Sequence, residues 1–372
     1  MKIVKVRSPF IIEINEPTQL GSKIEIFIWN AGDTEPATPT YTLSKPIPTA
    51  NQRDTSYNVS NFVKEFIDNI KATYVDYYTG AENVDEWCIF RIKSYWLNTS
   101  SVYEILEDEY YYGINGFTNY SDGNQNPSET KISLLTNTNI NKYYYKQTTY
   151  PNDLIQYVNL LIDKTTTNTT IVNIKYERID GTVYNSNSNI LVGNSGVFNI
   201  KIPISLVKND ANFINGCKVT ITYTPASGSP IINIFYTYPI CEAKYTPALC
   251  DFVNRYGGWE TLTFFKAQTN NITTKSDEYK LMPKEVNYNI SRGQSKSFNF
   301  KGSQNVTLNT GWVDENYSEF ITDLLLSETI LLDSQPVTLK TQTSELKTKL
   351  KNRMINYTIE FEYNFNLIND VV

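Results

Sequence analysis

Apolar and polar residues alternate along most of this chain. Ile24, Ile26 and Ile28 interleave with Glu25, Phe27 and Trp29, and Trp87, Ile89, Arg91, Lys93 and Tyr95 take one side of the segment from Trp87 to Trp96. The period recurs at Val172, Ile174 and Tyr176, at Phe198, Ile200, Ile202 and Ile204, and at Val219, Ile221 and Tyr223. It returns at Ile232, Ile234, Tyr236 and Tyr238, and in Tyr357, Ile359, Phe361, Tyr363 and Phe365. A period of two places such residues on one face of a strand. Lys2–Val6, Phe10–Ile14, Tyr103–Tyr112, Glu260–Lys266 and Val337–Thr341 are further strand candidates. Ser295–Phe300 with Gln304–Leu308 makes a candidate hairpin. Pro36, Pro39, Pro46 and Pro48 confine Tyr41–Ser44 to a short or edge strand.

Two segments carry a helical period instead. Phe62, Val63, Phe66, Ile67 and Ile70 form one stripe of a helix over 60–70, with Ser60 as its N-cap. Phe320, Ile321, Leu324 and Leu325 form the face of a second helix, over 317–327, opened by an Asn316/Glu319 capping box. The pattern therefore predicts a mainly β protein, all-β with a few short helices, in a multi-domain β-sandwich architecture. Short strands spaced by Asn/Gly/Ser turns make 150–239 an inserted Ig/fibronectin-like sandwich. It lies between an N-terminal β-rich domain at 1–149 and a C-terminal β domain at 240–372. Residues near the N-terminus and those after about 240 are then expected to share one discontinuous core.

Composition sharpens this picture. A chain of 372 residues with 28 Tyr, 17 Phe and 5 Trp suits pleated, half-buried surfaces. Net charge is −6 with a pI near 5.0, and 19% of residues are charged, a poor match to nucleic-acid binding, which needs clustered Lys and Arg. The N-terminal residues do not resemble a signal peptide, and no apolar run approaches a membrane span. Cys88, Cys217, Cys241 and Cys250 are too scattered for a disulfide framework and are expected to stay reduced.

Candidate chemistry is sparse. With no histidine in the chain, Ser-His-Asp, Cys-His and His-metal sites are excluded. Glu104, Glu107, Asp108 and Glu109 form the densest acidic cluster, read as a solvated edge or subunit contact before a glycosidase pair or a calcium loop. No enzyme, cofactor or metal is expected. Tyr110, Tyr111 and Tyr112, and Tyr143, Tyr144 and Tyr145, are candidates for protein contact or core packing, with sugar stacking a further alternative. Lys347, Lys349, Lys351 and Arg353, following Lys340, form a cationic stretch that either protects a sheet edge or pairs with a neighbour's acidic cluster.

Three stretches carry a resemblance. One joins Ser8-Pro-Phe10, the run from Gly21 to Asn30, the run ending at Lys45, and Asn58–Phe66; a second runs from Tyr245 through Asp251-Phe-Val-Asn-Arg-Tyr-Gly-Gly-Trp-Glu260 to Lys266. The third joins Leu308–Trp312, Tyr317–Leu326, Pro336–Thr341 and Asn356–Tyr363. Together they cover under half the chain and resemble virion structural proteins of Bacteroidetes phages, the crAss-like phages included. The resemblance implies a tail or neck component that closes into a ring, in the virion and assembled in the host cytoplasm. Its implied partners are copies of itself in a cyclic homo-oligomer and other tail, neck or portal-side proteins, without specific nucleic-acid or membrane binding. The alternative is a receptor- or glycan-binding module.

Overall fold

The computed structural model describes residues 2–30, 32–47, 54–71, 81–82, 84–130, 132–139, 142–146, 156–162, 170–181, 183–192, 196–202, 215–224, 229–240, 245–282, 286–287, 289–341 and 354–368. The protein is all-β, built from several sheets, with two short α-helices among these residues.

The N-terminal sheet has five strands, in the order Lys2–Lys5, Tyr103–Ile114, Trp87–Leu97, Gly21–Asn30 and Tyr41–Pro46. All neighbours are antiparallel except the first pair, where Lys2–Lys5 runs parallel to Tyr111–Ile114. Ile24, Ile26 and Ile28 meet Cys88, Phe90 and Ile92 on the buried face, and Tyr41–Pro46, ended by Pro46, sits at the edge of the sheet. A ribbon of Ile11–Ile14 with Thr55–Asn58 adds Ile12, Ile14 and Tyr57 to the same core.

The first helix is shorter than its stripe predicts: it spans Ser60–Lys64, not 60–70. Beyond it the N–H groups of Phe66 and Ile67 bond three residues back, and Asn69 takes a left-handed φ of 52°. Val63 and Ile67 still reach the core, but Ile70 faces solvent. Val59 holds the N-cap position, so Ser60 is the first helical residue. Its buried hydroxyl accepts the N–H of Phe10 at 2.7 Å and donates to the carbonyl of Ser8 at 2.6 Å. Ser60→Ala is therefore expected to cost about 1–2 kcal/mol by leaving these groups underbonded. A loss below half a kcal/mol in urea denaturation would show that Asn58 Oδ1, 3.3 Å from the same N–H, takes over.

The middle of the chain forms two sheets. One is ordered Lys142–Lys146, Ile231–Ile240, Cys217–Thr224, Thr170–Arg178 and Val183–Val192; the other Ala81–Glu82, Gly196–Ile202, Gln156–Ile162 and Ile132–Leu134. Strand pairing thus draws three segments from before residue 150 into a sandwich expected to begin there. These segments are two to five residues long, too short to show a period of their own. The phase of Ile231–Ile240 is also the reverse of the apparent one. Asn233, Phe235 and Thr237 are buried, because they lie opposite Ile221, Val219 and Cys217, whose side chains already face the core.

The last sheet has seven strands, ordered Trp259–Phe264, Ala248–Val253, Ile330–Leu332, Gln335–Leu339, Met354–Tyr363, Ser295–Asp314 and Thr269–Lys280. Tyr357, Ile359 and Phe361 are buried as their spacing predicts, whereas Phe365 lies beyond the strand and is exposed. The expected hairpin of 295–300 with 304–308 is instead one strand of 20 residues, paired along Thr269–Lys280. The second helix spans Tyr317–Leu325. By its contacts the chain divides into two compact units. The first is Met1–Cys241, Phe252–Thr261 and Glu319–Thr329; the second is Glu242–Asp251, Leu262–Ser318 and Ile330–Val372. No described helix is long and apolar enough to cross a membrane.

Candidate functional site

Two features stand out chemically: a buried carboxylate cluster in the first unit, and a set of exposed strand edges. The cluster grows from the loop Asn254–Trp259. Asn254 closes the loop on itself: its Oδ1 accepts the N–H groups of Tyr256 and Gly258, at 2.8 and 3.1 Å, while its Nδ2 donates to the carbonyl of Leu135 at 2.8 Å. Gly257 supplies a φ of 83°, which side chains resist. A Cβ on Gly258 would stand 2.3 Å from the carbonyl oxygen of Leu135, so only glycine fits. The turn delivers Trp259 and Glu260 into the interior, where Asn159 Nδ2 donates to the Trp259 carbonyl at 2.5 Å.

Glu260 is fully buried and accepts the backbone N–H of Asn137 at 2.8 Å. Burial pushes its carboxyl up to about 8; the Asn137 bond opposes this and the charge of Asp323 adds to it. Asp323, on the second helix and also closed to solvent, pairs with Arg255 Nε at 2.7 Å and accepts a longer bond from Asn137 Nδ2 at 3.4 Å. Burial raises the Asp323 carboxyl and Arg255 pulls it back. Glu319, expected to close a capping box, accepts a hydrogen bond from Asn139 Nδ2 at 2.9 Å. At the far end of this helix Glu328 binds Lys64 at 2.8 Å and Arg7 at 3.4 Å. Asp323, Glu319 and Glu328 thus fasten Glu319–Thr329 to Arg255, 68 residues away, and to Asn137, Asn139, Lys64 and Arg7, all more than a hundred residues away.

The exposed edges lie elsewhere. Strand Tyr103–Ile114 is paired along its full length on one side, but among the described strands only Tyr111–Ile114 has a partner on the other. Tyr103–Tyr110 therefore presents an edge of eight residues with Glu104, Glu107, Asp108 and Glu109, in which Tyr103, Ile105, Leu106 and Tyr110 are exposed. Arg91 clasps Asp108 through two bonds of 2.5 Å and also binds Glu35 at 2.7 Å, while Lys2 pairs with Glu109 at 3.0 Å. Glu104 and Glu107 lie outside those ion pairs.

The second exposed feature is the ribbon formed by Thr269–Lys280 and the first part of Ser295–Asp314. All twelve residues of the first strand and Ser295–Lys301 of the second are exposed, so both faces of this arm meet solvent. Tyr279 stacks edge-on against Phe298, Phe300 lies two residues further along the same strand and is exposed, and Ile272 is exposed nearer the base of the ribbon, opposite Gln304. Asn299, at a φ of 54°, forms a bulge beside Asp277, to which its Nδ2 donates at 2.9 Å.

Of the tyrosines singled out by sequence, Tyr110 is exposed, with its hydroxyl on Glu35. Tyr111 and Tyr143 are core residues, packed on Phe90 and Phe235, and this removes them from the contact surface. Tyr112 stacks on Trp87 and Tyr144 tilts against Tyr238, both half-buried. Tyr145 lies in strand Lys142–Lys146, but its side chain, like Lys347, Lys349, Lys351, Arg353 and Cys241, lies outside the described residues. Lys340 pairs with Glu362. Cys88 and Cys217 are buried thiols, pushed up to about 12 and about 11 by that burial.

Sequence reasoning passed over Glu260, although it shares the strand face of Leu262 and Phe264, an inward phase that a carboxylate rarely takes. It also passed over the arm. Compared with known proteins, the chain matches no family model and no curated protein.

Proposed function

We propose that this chain is a structural component of a phage virion, a tail or neck protein that closes into a homo-oligomeric ring and acts through protein–protein contacts. The three resembling stretches point that way. The second of them, from Tyr245 to Lys266, includes the Asn254–Trp259 loop and Glu260 of the buried cluster, so part of the likeness falls on residues that specify the fold.

The observation that carries the reading is the exposure of strand edges together with apolar side chains, on the Tyr103–Tyr110 edge and on both faces of the arm. A two-stranded ribbon is marginal in water by itself, and bare edges invite further strands. An assembly covers them. Native mass spectrometry over a range of concentrations tests this, with a single cyclic stoichiometry as the expected result. A chain that stays monomeric at every concentration overturns the reading. A trimer that binds glycans on an array replaces it with the receptor-binding alternative.

A further inference from the structure

We infer that the arm of one copy docks on the acidic Tyr103–Tyr110 edge of the next copy, adding the strand Thr269–Lys280 to that sheet. The inference rests on the homo-oligomer reading and specifies its contact.

Charge chooses the pairing. The described residues between 269 and 302 contain five cations (Lys275, Lys280, Arg292, Lys296 and Lys301) against Asp277 and Glu278, a net +3 in a chain whose total is −6. The Tyr103–Tyr110 edge holds four carboxylates and no cation. A twofold contact of the acidic edge with itself would set like charges opposite one another, which destabilises a strand pair; on the arm the strand Thr269–Lys280 is balanced, Lys275 and Lys280 against Asp277 and Glu278, and the positive excess lies on the strand beside it. Arm to edge sets opposite charges together. Such a contact is heterologous, and repeating it generates a ring or a filament.

Geometry agrees. Among the described strands Thr269–Lys280 is the last of its sheet, and it is exposed throughout, so its outer edge faces solvent there and suits a new partner. The bulge at Asn299 distorts the arm's other strand, which leaves Thr269–Lys280 the better edge for addition. Each surface also brings apolar side chains, Ile272 and Tyr279 on the arm and Ile105 and Leu106 on the edge. Main-chain bonds would supply attachment, and the side chains register.

The test uses the full chain and two variants. One reverses the arm with Lys275→Glu, Lys280→Glu and Lys296→Glu; the other reverses the edge with Glu104→Lys and Glu107→Lys. All five side chains are exposed, and unaltered circular dichroism and thermal unfolding would verify that each variant folds. Sedimentation velocity at low salt is expected to show each variant self-associating at least tenfold more weakly than wild type. Mixing the two variants should restore association to within about threefold, because each reversed surface then meets its opposite. If wild type assembles but either variant assembles equally well, or mixing restores nothing, the arm-to-edge contact is wrong while the oligomer reading stands. If wild type itself does not assemble, the underlying reading fails as well.

Discussion

Replacing Arg255 with alanine is expected to destabilise the folded chain by about 3–5 kcal/mol, read as a lower denaturant midpoint. The Asp323 carboxylate has no solvent access, and the guanidinium 2.7 Å away is its close cationic partner. What remains without it is a 3.4 Å hydrogen bond from Asn137. A buried charge stripped of its counter-ion must either stay ionised at high desolvation cost or take up a proton. Adding Asp323→Asn to the Arg255→Ala variant removes that charge and should recover a good part of the loss. A single-variant cost under 1 kcal/mol would mean that Asp323 is far better solvated in the folded chain than its burial indicates.

The second large effect is a pH dependence. Glu260 titrates at about 8 in the folded chain, against an ordinary value of 4.5. Below about pH 4.5 the folded and unfolded chains both hold this proton, and it contributes no difference. Between about 4.5 and 8 the unfolded chain has released it and the folded chain keeps it, so stability falls as pH rises through this window and then levels off. Every tenfold gain in proton affinity on folding is worth about 1.4 kcal/mol, which puts the total at several kcal/mol. Glu260→Gln cannot ionise. Its stability should match wild type near pH 4.5 and exceed it by several kcal/mol at pH 8, in urea titrations at matched ionic strength. Parallel profiles for the two proteins would refute the assignment.

What the sequence made legible followed from burial on one face. Ile24, Ile26 and Ile28, or Tyr357, Ile359 and Phe361, show their strands because every second residue must leave water. The arm lacks that constraint. With both faces exposed, Thr269–Lys280 carries only Ile272 and Tyr279 among polar residues, and its pairing leaves no periodic trace. Near residue 60 the stripe was real but the helix was not long, since Val63 and Ile67 reach the core on either side of a helix end. Within the cluster, the phase of Glu260 with Leu262 and Phe264 was open to reading. Its acceptance of a bond from Asn137, at a separation of 123 residues, was not, because tertiary closure alone creates it.

The division into two units has a consequence for synthesis. The polypeptide passes between them five times, and the first unit takes its last contribution from Glu319–Thr329. A ribosome adds about 5–20 residues per second, so many seconds separate the emergence of Asn137 from that of Asp323. Over that interval Asn137, joined later by Arg255, has no Asp323 to meet, and the first unit lacks this ion pair however early its individual sheets form. Completion of the first unit is thereby tied to synthesis through Thr329, and products terminated before Asp323 would reach the cell without the ion pair that fastens Glu319–Thr329 in place.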